Sequence, residues 1–314
     1  MNKENKSTPS SVVRLLREYA VYKEESKYLN KTSVKTIGGF STDFYLKSLN
    51  TLLKQNKLRV DYVGNNQNIK SIIEDQLKAF PVLKEEKISS PNKSYLDRLA
   101  NYESENTIYF INDKKATQTN IYFDIDLSNI PQEEHYKLQA FNEYFGRGMS
   151  SLVFQEIREF RSLAYTAYGI CRVGKTPELN EAYVGYIGCQ NDKTIDALTT
   201  MMDLINNMPQ KPERIDYIKG AITNSAITSR PGFRNLSNQI EMWKEQGYKT
   251  DPNYLFKEKY KTLTFSEIIE FYNTYLKNKP VTISMVGDKK QINFEELATF
   301  GVIKEVKIKD IYVD

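Results

Sequence analysis

The chain has 314 residues, of which 27% are charged, and its 44 Lys and Arg nearly balance its 40 Asp and Glu. This balance lacks the concentrated positive charge that phosphate-backbone binding requires, so composition argues against a nucleic-acid-binding protein. A hydrophobic content of 40% is enough for a sizeable core, and the length suits two ordinary domains or one large one. No apolar run approaches the roughly 20 residues that span a bilayer, so we expect no membrane span and no signal peptide.

An internal repeat is the first informative feature along the chain. The segment LRVDYVGNNQNI, from Leu58, aligns without a gap with VTISMVGDKKQI, from Val281. Each predicts an alternating strand, over 58–63 in the first copy, followed by Val-Gly and a polar residue that can begin a helix. Three positions of one helix face also coincide upstream, at the same offset: Leu49, Leu52 and Leu53 with Tyr272, Tyr275 and Leu276. Because the strand alternation, the helix-face spacing and the Val-Gly turn all agree between the two copies, duplication is favoured over chance.

The repeat predicts the domain boundaries. One unit back from the C-terminus falls near Pro91, so residues 92–314 are predicted as one complete α+β domain. Residues 1–91 are predicted as the C-terminal part of a preceding α+β repeat domain plus a linker. The junction, KAFPVLKEEKISSPNKS, has the prolines, charges and serines of a linker. We therefore expect a chain truncated at its N-terminus, whose first ~90 residues leave apolar surface uncovered or paired with another chain.

Within 92–314, hydrophobic periodicity predicts runs of strands and runs of helices. Strands are predicted in TIYFIND and TQTNIYFDIDL, and a hairpin in LAYTAYGICRV and EAYVGYIGCQ. A helix over about 132–145 ends at Gly146, and a second helix begins at Ser150 or Ser151 and includes Arg158. Further helices are predicted over roughly 192–208, 212–228, 233–246 and 264–277, then the strand VTISMVG and a short helix near Phe294. This order indicates an α+β layer fold.

Metal-binding and nucleophilic side chains are few. A catalytic zinc site draws on two or three His with a carboxylate or Cys, and this chain has the single histidine His135. A catalytic dyad or triad would need His135 as its base. Its helix pattern instead predicts a partly exposed surface position, with Leu138 and Phe141 on the buried face. Cys171 and Cys189 fit neither a disulfide framework nor a zinc ribbon.

The segment FNEYFGRGMSSLVFQEIREFRSLAY, residues 141–165, resembles the pitrilysin/insulinase family of inverzincin zinc metallopeptidases. The following hairpin and the C-terminal strand–Val-Gly–Asp turn extend the resemblance over both repeat units. It implies repeated two-layer domains of sheet plus helices, of the pitrilysin-type (LuxS/metallohydrolase-like) fold, in halves that close around an extended peptide. The zinc motif of the family's first domain, H-x-x-E-H, is absent here. The chain is thus similar to the zinc-free C-terminal half, which implies zinc bound by the other half and no metal ligand in this chain.

In that half the family places an Arg and a Tyr seven residues apart, and both contribute to the active site of the opposite half. Arg158 and Tyr165 have this spacing, so the resemblance implies that they bind substrate. Guanidinium and phenol donors suit a peptide carbonyl or the oxyanion that develops from it. The residues alone leave an alternative, in which Arg158 pairs with Glu156 or Glu159 and Tyr165 is an ordinary strand aromatic.

The resemblance implies part of a zinc metalloendopeptidase that is inactive by itself, with no catalytic residue in this chain alone. Its implied partners are a peptide substrate and an N-terminal zinc-binding half, on the same polypeptide or on a separate subunit. A non-catalytic scaffold or assembly subunit of the same family is the alternative, and Arg158 with Tyr165 favours the peptidase. A soluble protein is expected, and the cytoplasm and the periplasm both stay open as its compartment.

Overall fold

The structure, a computed structural model, describes residues 8–55, 59–78, 98–229 and 231–313. Six strands in these ranges form one mixed sheet: β1 (Thr107–Asn112), β2 (Gln118–Ser128), β3 (Ala164–Arg172), β4 (Glu181–Gln190), β5 (Thr282–Gly287) and β6 (Val302–Glu305). Their order is β3-β4-β2-β5-β1-β6. Strand β1 is parallel to β5 and β6, whereas β2 is antiparallel to β4 and β5, and β3 to β4. The first five strands are confirmed, and β6 was not predicted.

Helices account for much of the remaining chain. Their bounds are α1 (Pro9–Tyr22), α2 (Val34–Gly38), α3 (Thr42–Gln55), α4 (Ile69–Leu77), α5 (His135–Phe145), α6 (Thr194–Asn206), α7 (Ile215–Thr228), α8 (Leu236–Glu245), α9 (Pro252–Leu255), α10 (Lys257–Thr262), α11 (Phe265–Phe271), α12 (Phe294–Leu297) and α13 (Ile308–Ile311). Two π-helical turns, Phe154–Glu159 and Tyr272–Leu276, and several short 3-10 turns are also present. The predicted α+β fold is confirmed. None of the helices in the described ranges has the length and apolarity needed to cross a bilayer.

The main core lies on one face of the sheet. The alternation predicted in β2 is confirmed, since Ile121, Phe123 and Ile125 are fully buried there. They belong to one cluster with Leu138 and Phe141, the predicted buried face of α5. At roughly 1.5–3 kcal/mol for each large apolar side chain, this burial is the main source of stability.

Helix α1 covers the opposite face of the same sheet. Its side chains Val13 and Leu16 pack against Tyr109, Ile111 and Val286, which alternate along β1 and β5 with residues of the main core. A helix from the first 91 residues therefore packs on the sheet formed by the later segment and covers the part formed by β1, β2 and β5. The predicted boundary near Pro91 stays a prediction, because residues 79–97 lie outside the described ranges.

The predicted strand over 58–63 is wrong for its described part. Leu58 lies outside the described residues, and residues 59–63 have no strand pairing within them. In the other copy, β5 lies between the strands β1 and β2. Residues 59–63 have no neighbouring strand among the described residues. Because a strand forms only where its backbone N–H and C=O groups find partners, this segment is not a strand here. The helix before it differs likewise: Leu49 is 53% exposed, whereas its counterpart Tyr272 is 3% exposed. The expected uncovered apolar surface is confirmed for this segment.

Candidate functional site

Arg158 and Tyr165 lie together at one edge of the sheet. Arg158 is near the end of the π-helical turn, and Tyr165 is the second residue of the edge strand β3. The guanidinium carbon of Arg158 is 4.6 Å from the centroid of the Tyr165 ring and 4.8 Å from that of Phe154. The structure thus brings the two residues into contact at the end of a helix and the start of a strand. Their role in substrate binding stays a prediction.

The chain between them adopts a specialised turn. Ser162 has a φ of 51°, the left-handed region, which costs a non-glycine residue about 1 kcal/mol or more. Its N–H donates to the Arg158 carbonyl at 3.2 Å, and the Leu163 N–H donates to the Ile157 carbonyl at 2.9 Å. Strand β3 then shifts register against β4 at Tyr165, which is the extra residue of a β-bulge. Bulges re-aim side chains and are common beside active sites.

The polar groups of this pair stay accessible. The Arg158 side chain is 37% exposed, and its Nε lies 3.6 Å from Glu159 Oε1, so this ion pair is partly solvated and weak. Glu156 instead lies 4.0 Å from Arg161 Nε. Tyr165 is 78% exposed. Arg158 is therefore not locked in a buried ion pair, and its remaining N–H groups are available to a ligand.

Arg214, which sequence reasoning missed, fixes the helix that carries Arg158. Its Nη1 donates to the Ser150 carbonyl at 2.9 Å, and its Nη2 donates to Gln155 Oε1 at 2.6 Å. Ile157, next to Arg158, is fully buried in the main core. No local pattern could indicate Arg214, because it approaches from a turn far along the chain.

The other end of the β3 edge is covered. The side-chain amide of Asn142 donates to the Cys171 carbonyl at 2.8 Å and accepts from the Cys171 N–H at 2.6 Å, as a neighbouring strand would. Gly146 lies so close to Gly169 that an added Cβ would be 1.8 Å from the Gly169 carbonyl oxygen. Such covering protects an edge from pairing with other chains. At the Tyr165 end of β3, Tyr165 and Thr166 are both exposed.

His135 corrects an expectation, because it is buried rather than partly exposed. It is 5% exposed, with Nδ1 2.5 Å from the Tyr248 hydroxyl and Nε2 3.3 Å from Glu181 Oε1. Both neighbours come from distant segments, which helix periodicity cannot reveal. Burial raises the pKa of Tyr248, so this phenol stays protonated. The cluster is structural, with no activated nucleophile.

The described residues do not fit the zinc site that the resemblance implies for the parent enzyme. No three His, Cys, Asp or Glu side chains within them come together as metal ligands. The ring nitrogens of His135 face Tyr248 and Glu181. Cys171 and Cys189 are buried and free, and burial raises the pKa of both thiols, that of Cys189 to about 12.

Comparison with known proteins identifies one family and several solved structures of similar fold. The family described as peptidase M16 inactive domain matches residues 48–221, more than half of the chain. A peptidase M16 inactive domain from Pseudomonas fluorescens has 16% sequence identity and a TM-score of 0.63, over 91% of this chain and 68% of that one. A protease from Helicobacter pylori has 13% identity and a TM-score of 0.55, over 88% of this chain and 71% of that one.

The chain covers less than a third of one longer solved structure of similar fold. The periplasmic protease PqqL from Escherichia coli has 13% identity and a TM-score of 0.58, over 91% of this chain but 31% of that one. At these identities the structural likeness concerns the fold alone. No curated protein matches the chain.

Proposed function

Because the chain belongs to the peptidase M16 (pitrilysin) family and matches its inactive domain, we propose that it closes the peptide chamber of a metallopeptidase and contributes substrate-binding residues to a zinc site on the other half. The family confirms the resemblance to the zinc-free C-terminal half. The proposal adds the parent's endopeptidase activity, its peptide substrate and the roles of Arg158 and Tyr165.

The contact between Arg158 and Tyr165 is the observation that supports these roles best. A guanidinium over an aromatic ring is held by cation–π attraction, while its N–H groups at the rim still point outward. The Tyr165 hydroxyl adds a donor on a rigid arm. The bulge and the left-handed Ser162 hold this arrangement at a cost in local strain, which is typical of functional positions.

In this proposal the chain acts by positioning and charge stabilisation. Arg158 and Tyr165 donate hydrogen bonds to a peptide carbonyl oxygen and hold it more strongly as it gains negative charge. Zinc, bound by the other half, would supply the Lewis acid. Donors that come from the facing half would make cleavage depend on closure of the two halves.

The N-terminal segment supports pairing with a further polypeptide segment. Within 34–72 many large apolar side chains are more than a third exposed, among them Val34, Phe44, Leu46, Leu49 and Tyr62. Such a surface is typical of an interaction site. We assign 1–91 to the C-terminal part of a preceding α+β repeat domain plus a linker, and the rest of that domain would cover this apolar surface.

Reconstitution tests the proposal. The chain is co-expressed with a zinc-bearing M16 half from the same genome, and steady-state cleavage of a quenched fluorescent peptide is measured. Arg158→Ala and Tyr165→Phe should each lower kcat by roughly 10- to 1000-fold, the range for lost oxyanion donors. Arg161→Ala, an exposed neighbour of Arg158, is the matched control and should retain activity. Unchanged turnover in both site variants would contradict the proposed roles.

The same experiment decides the alternative of a non-catalytic scaffold or assembly subunit. The isolated chain should cleave no peptide and retain no stoichiometric zinc after dialysis, because its described residues offer no ligand set. A complex that binds zinc and forms stably, yet cleaves no peptide in any tested mixture, would favour the scaffold.

A further inference from the structure

A cavity of about 490 Å³ lies between residues 98–102 and the turn that connects β3 to β4. Four cationic residues contribute to its wall: Lys27, Arg98, Arg172 and Lys175. No Asp or Glu is among the described residues that line it. The cavity is therefore a concentration of positive charge on a protein whose overall charge is nearly balanced.

Two of these cations are already engaged and two are not. Arg98 pairs with Glu18, and Lys27 lies 4.0 Å from the same carboxylate. Arg172 and Lys175 are exposed, and neither forms an ion pair within the part of the chain that the structure describes. Their positive charges are available to a ligand.

The carboxylates of Asp126 and Glu178, near the cavity, accept hydrogen bonds from groups other than its cations. Asp126 accepts hydrogen bonds from the side-chain amide of Asn180, at 2.9 and 3.2 Å, and from the Ser128 N–H at 2.9 Å. Glu178, in the turn between β3 and β4, accepts a hydrogen bond from Thr176 that lowers its pKa. Neither group neutralises Arg172 or Lys175 in the structure.

The rest of the wall suits a peptide better than a bare anion. Tyr22, Tyr102, Leu99 and Leu179 line the cavity, and the guanidinium carbon of Arg98 lies 4.2 Å from the centroid of the Tyr22 ring. Aromatic and aliphatic surface can cover the stem of a side chain, while the cations bind its charged end.

The cavity lies at the opposite end of β3 from Tyr165. The register with β4 places Thr166, Tyr168, Ile170 and Arg172 on one face of the sheet. At about 3.3 Å per residue, Tyr165 and Arg172 are about 23 Å apart along the strand. An extended peptide along this row would span the distance with about seven residues.

From these observations we infer that this cavity binds a peptide carboxylate, either an Asp or Glu side chain or the C-terminus. The spacing to Arg158 and Tyr165 rests on the proposed function: it places the carboxylate about seven residues from the bond that is cleaved. Binding itself requires only the cavity.

Fluorescence polarisation with the isolated full chain tests binding. The probe is a fluorescein-labelled decapeptide with one Glu and an amidated C-terminus, compared with its Glu→Gln version and with a Gln version that has a free C-terminus. The Arg172→Gln/Lys175→Gln double variant should weaken binding of the Glu peptide about tenfold, or ~1.4 kcal/mol. Lys193→Gln/Lys257→Gln, two exposed lysines outside the cavity, makes the same change in net charge and should bind as the wild type does.

The three peptides distinguish a side-chain carboxylate from a C-terminal one, and three results would contradict the inference. Preference for the amidated Glu peptide supports a side-chain carboxylate, and preference for the free C-terminus supports a terminal one. Equal binding of all three peptides, equal loss in the control variant, or displacement by equimolar inorganic phosphate would overturn the inference.

In the reconstituted peptidase, moving the Glu along the peptide tests the spacing. Cleavage should be fastest with the Glu about seven residues from the bond, and the double variant should raise KM about tenfold with little change in kcat. If the peptide binds but cleavage ignores the Glu position, the proposed spacing is wrong. An inactive reconstituted complex would count against the proposed function, and the binding result would still decide the cavity.

Discussion

Asp124 is the buried anchor of helix α1 on the sheet. It is fully buried, and Arg17 donates to its carboxylate through Nε at 2.8 and 2.9 Å and through Nη2 at 2.6 Å. Asp124→Ala leaves the guanidinium without this partner and should lower the free energy of unfolding by about 2–4 kcal/mol, as measured by urea titration.

Asp126→Ala provides the comparison for this prediction. Asp126 lies two residues further along the same strand, and its carboxylate accepts a hydrogen bond from the side-chain amide of the exposed Asn180. Its loss should cost only about 0–1 kcal/mol, because a solvated contact is easily replaced by water. Equal costs for the two variants would show that the pair with Arg17 does not secure α1.

Glu181 should make stability depend on pH in the acid range. Burial by itself raises its pKa, but the nearby His135 and the Ile130 N–H favour the carboxylate and leave the pKa below its usual value. A lowered folded pKa contributes stability that is complete above the ordinary Glu value of about 4.3 and is lost as the pH falls through the folded value.

Urea titrations from pH 6 to pH 3 check this dependence. Glu181→Gln removes the titrating group, so its stability should fall less steeply below about pH 4.3 than that of the wild type. Glu105→Gln, at an exposed position, should follow the wild-type slope. If the free energy of unfolding fell equally steeply with pH in the wild type and in Glu181→Gln, the lowered pKa of Glu181 would not be the cause.

At the scale of elements, the end of α5 is held tightly against the edge strand β3. A Cβ at position 146 would lie 1.8 Å from the Gly169 carbonyl oxygen, which is backbone and cannot rotate away. Gly146→Ala should therefore cost about 1–3 kcal/mol or more, since the loop and the strand must separate. Thermal unfolding measures the effect as a lower Tm.

Gly220→Ala is the matched control in α7. A Cβ there would meet nothing within 4 Å, and alanine favours a helix interior by about 0.5–1 kcal/mol over glycine. This variant should raise Tm slightly. Destabilisation of both variants to the same extent would mean that the close approach at Gly146 is not the cause.

At the scale of the molecule, the apolar side of α3 should matter for assembly and little for folding. Leu46 and Leu49 are both more than half exposed, so Leu46→Glu/Leu49→Glu should change the stability of the isolated chain by only about 0.5 kcal/mol. In a complex with the zinc-bearing half, buried glutamates would be costly, and association should be lost or strongly weakened.

Size-exclusion chromatography with light scattering measures this association. Ile227→Glu, at an exposed apolar position of α7, is the control and should still form the complex. If the α3 variant assembles as the wild type does, this surface is not where the partner binds.

The sequence by itself determined most of the elements and the family. Alternation in β2 and the apolar stripe of α5 are local periodicities, and local periodicity decides which side chains face a core. The helix, turn and strand around Arg158 and Tyr165 could be predicted for the same reason. One histidine was enough to argue against a zinc site in the chain, because ligand count needs no geometry.

Only the tertiary structure decided how distant segments meet. It buried His135 beneath Tyr248, placed Arg214 against the helix of Arg158, packed α1 on the sheet and opened the cationic cavity beside Arg172. It also gave 59–63 no strand partner among the residues that the structure describes, although the pattern of this segment matches that of β5. The physical reason is common to these cases: burial, strand pairing and cavities depend on contacts between residues far apart in the chain, and a local pattern contains no record of the partner.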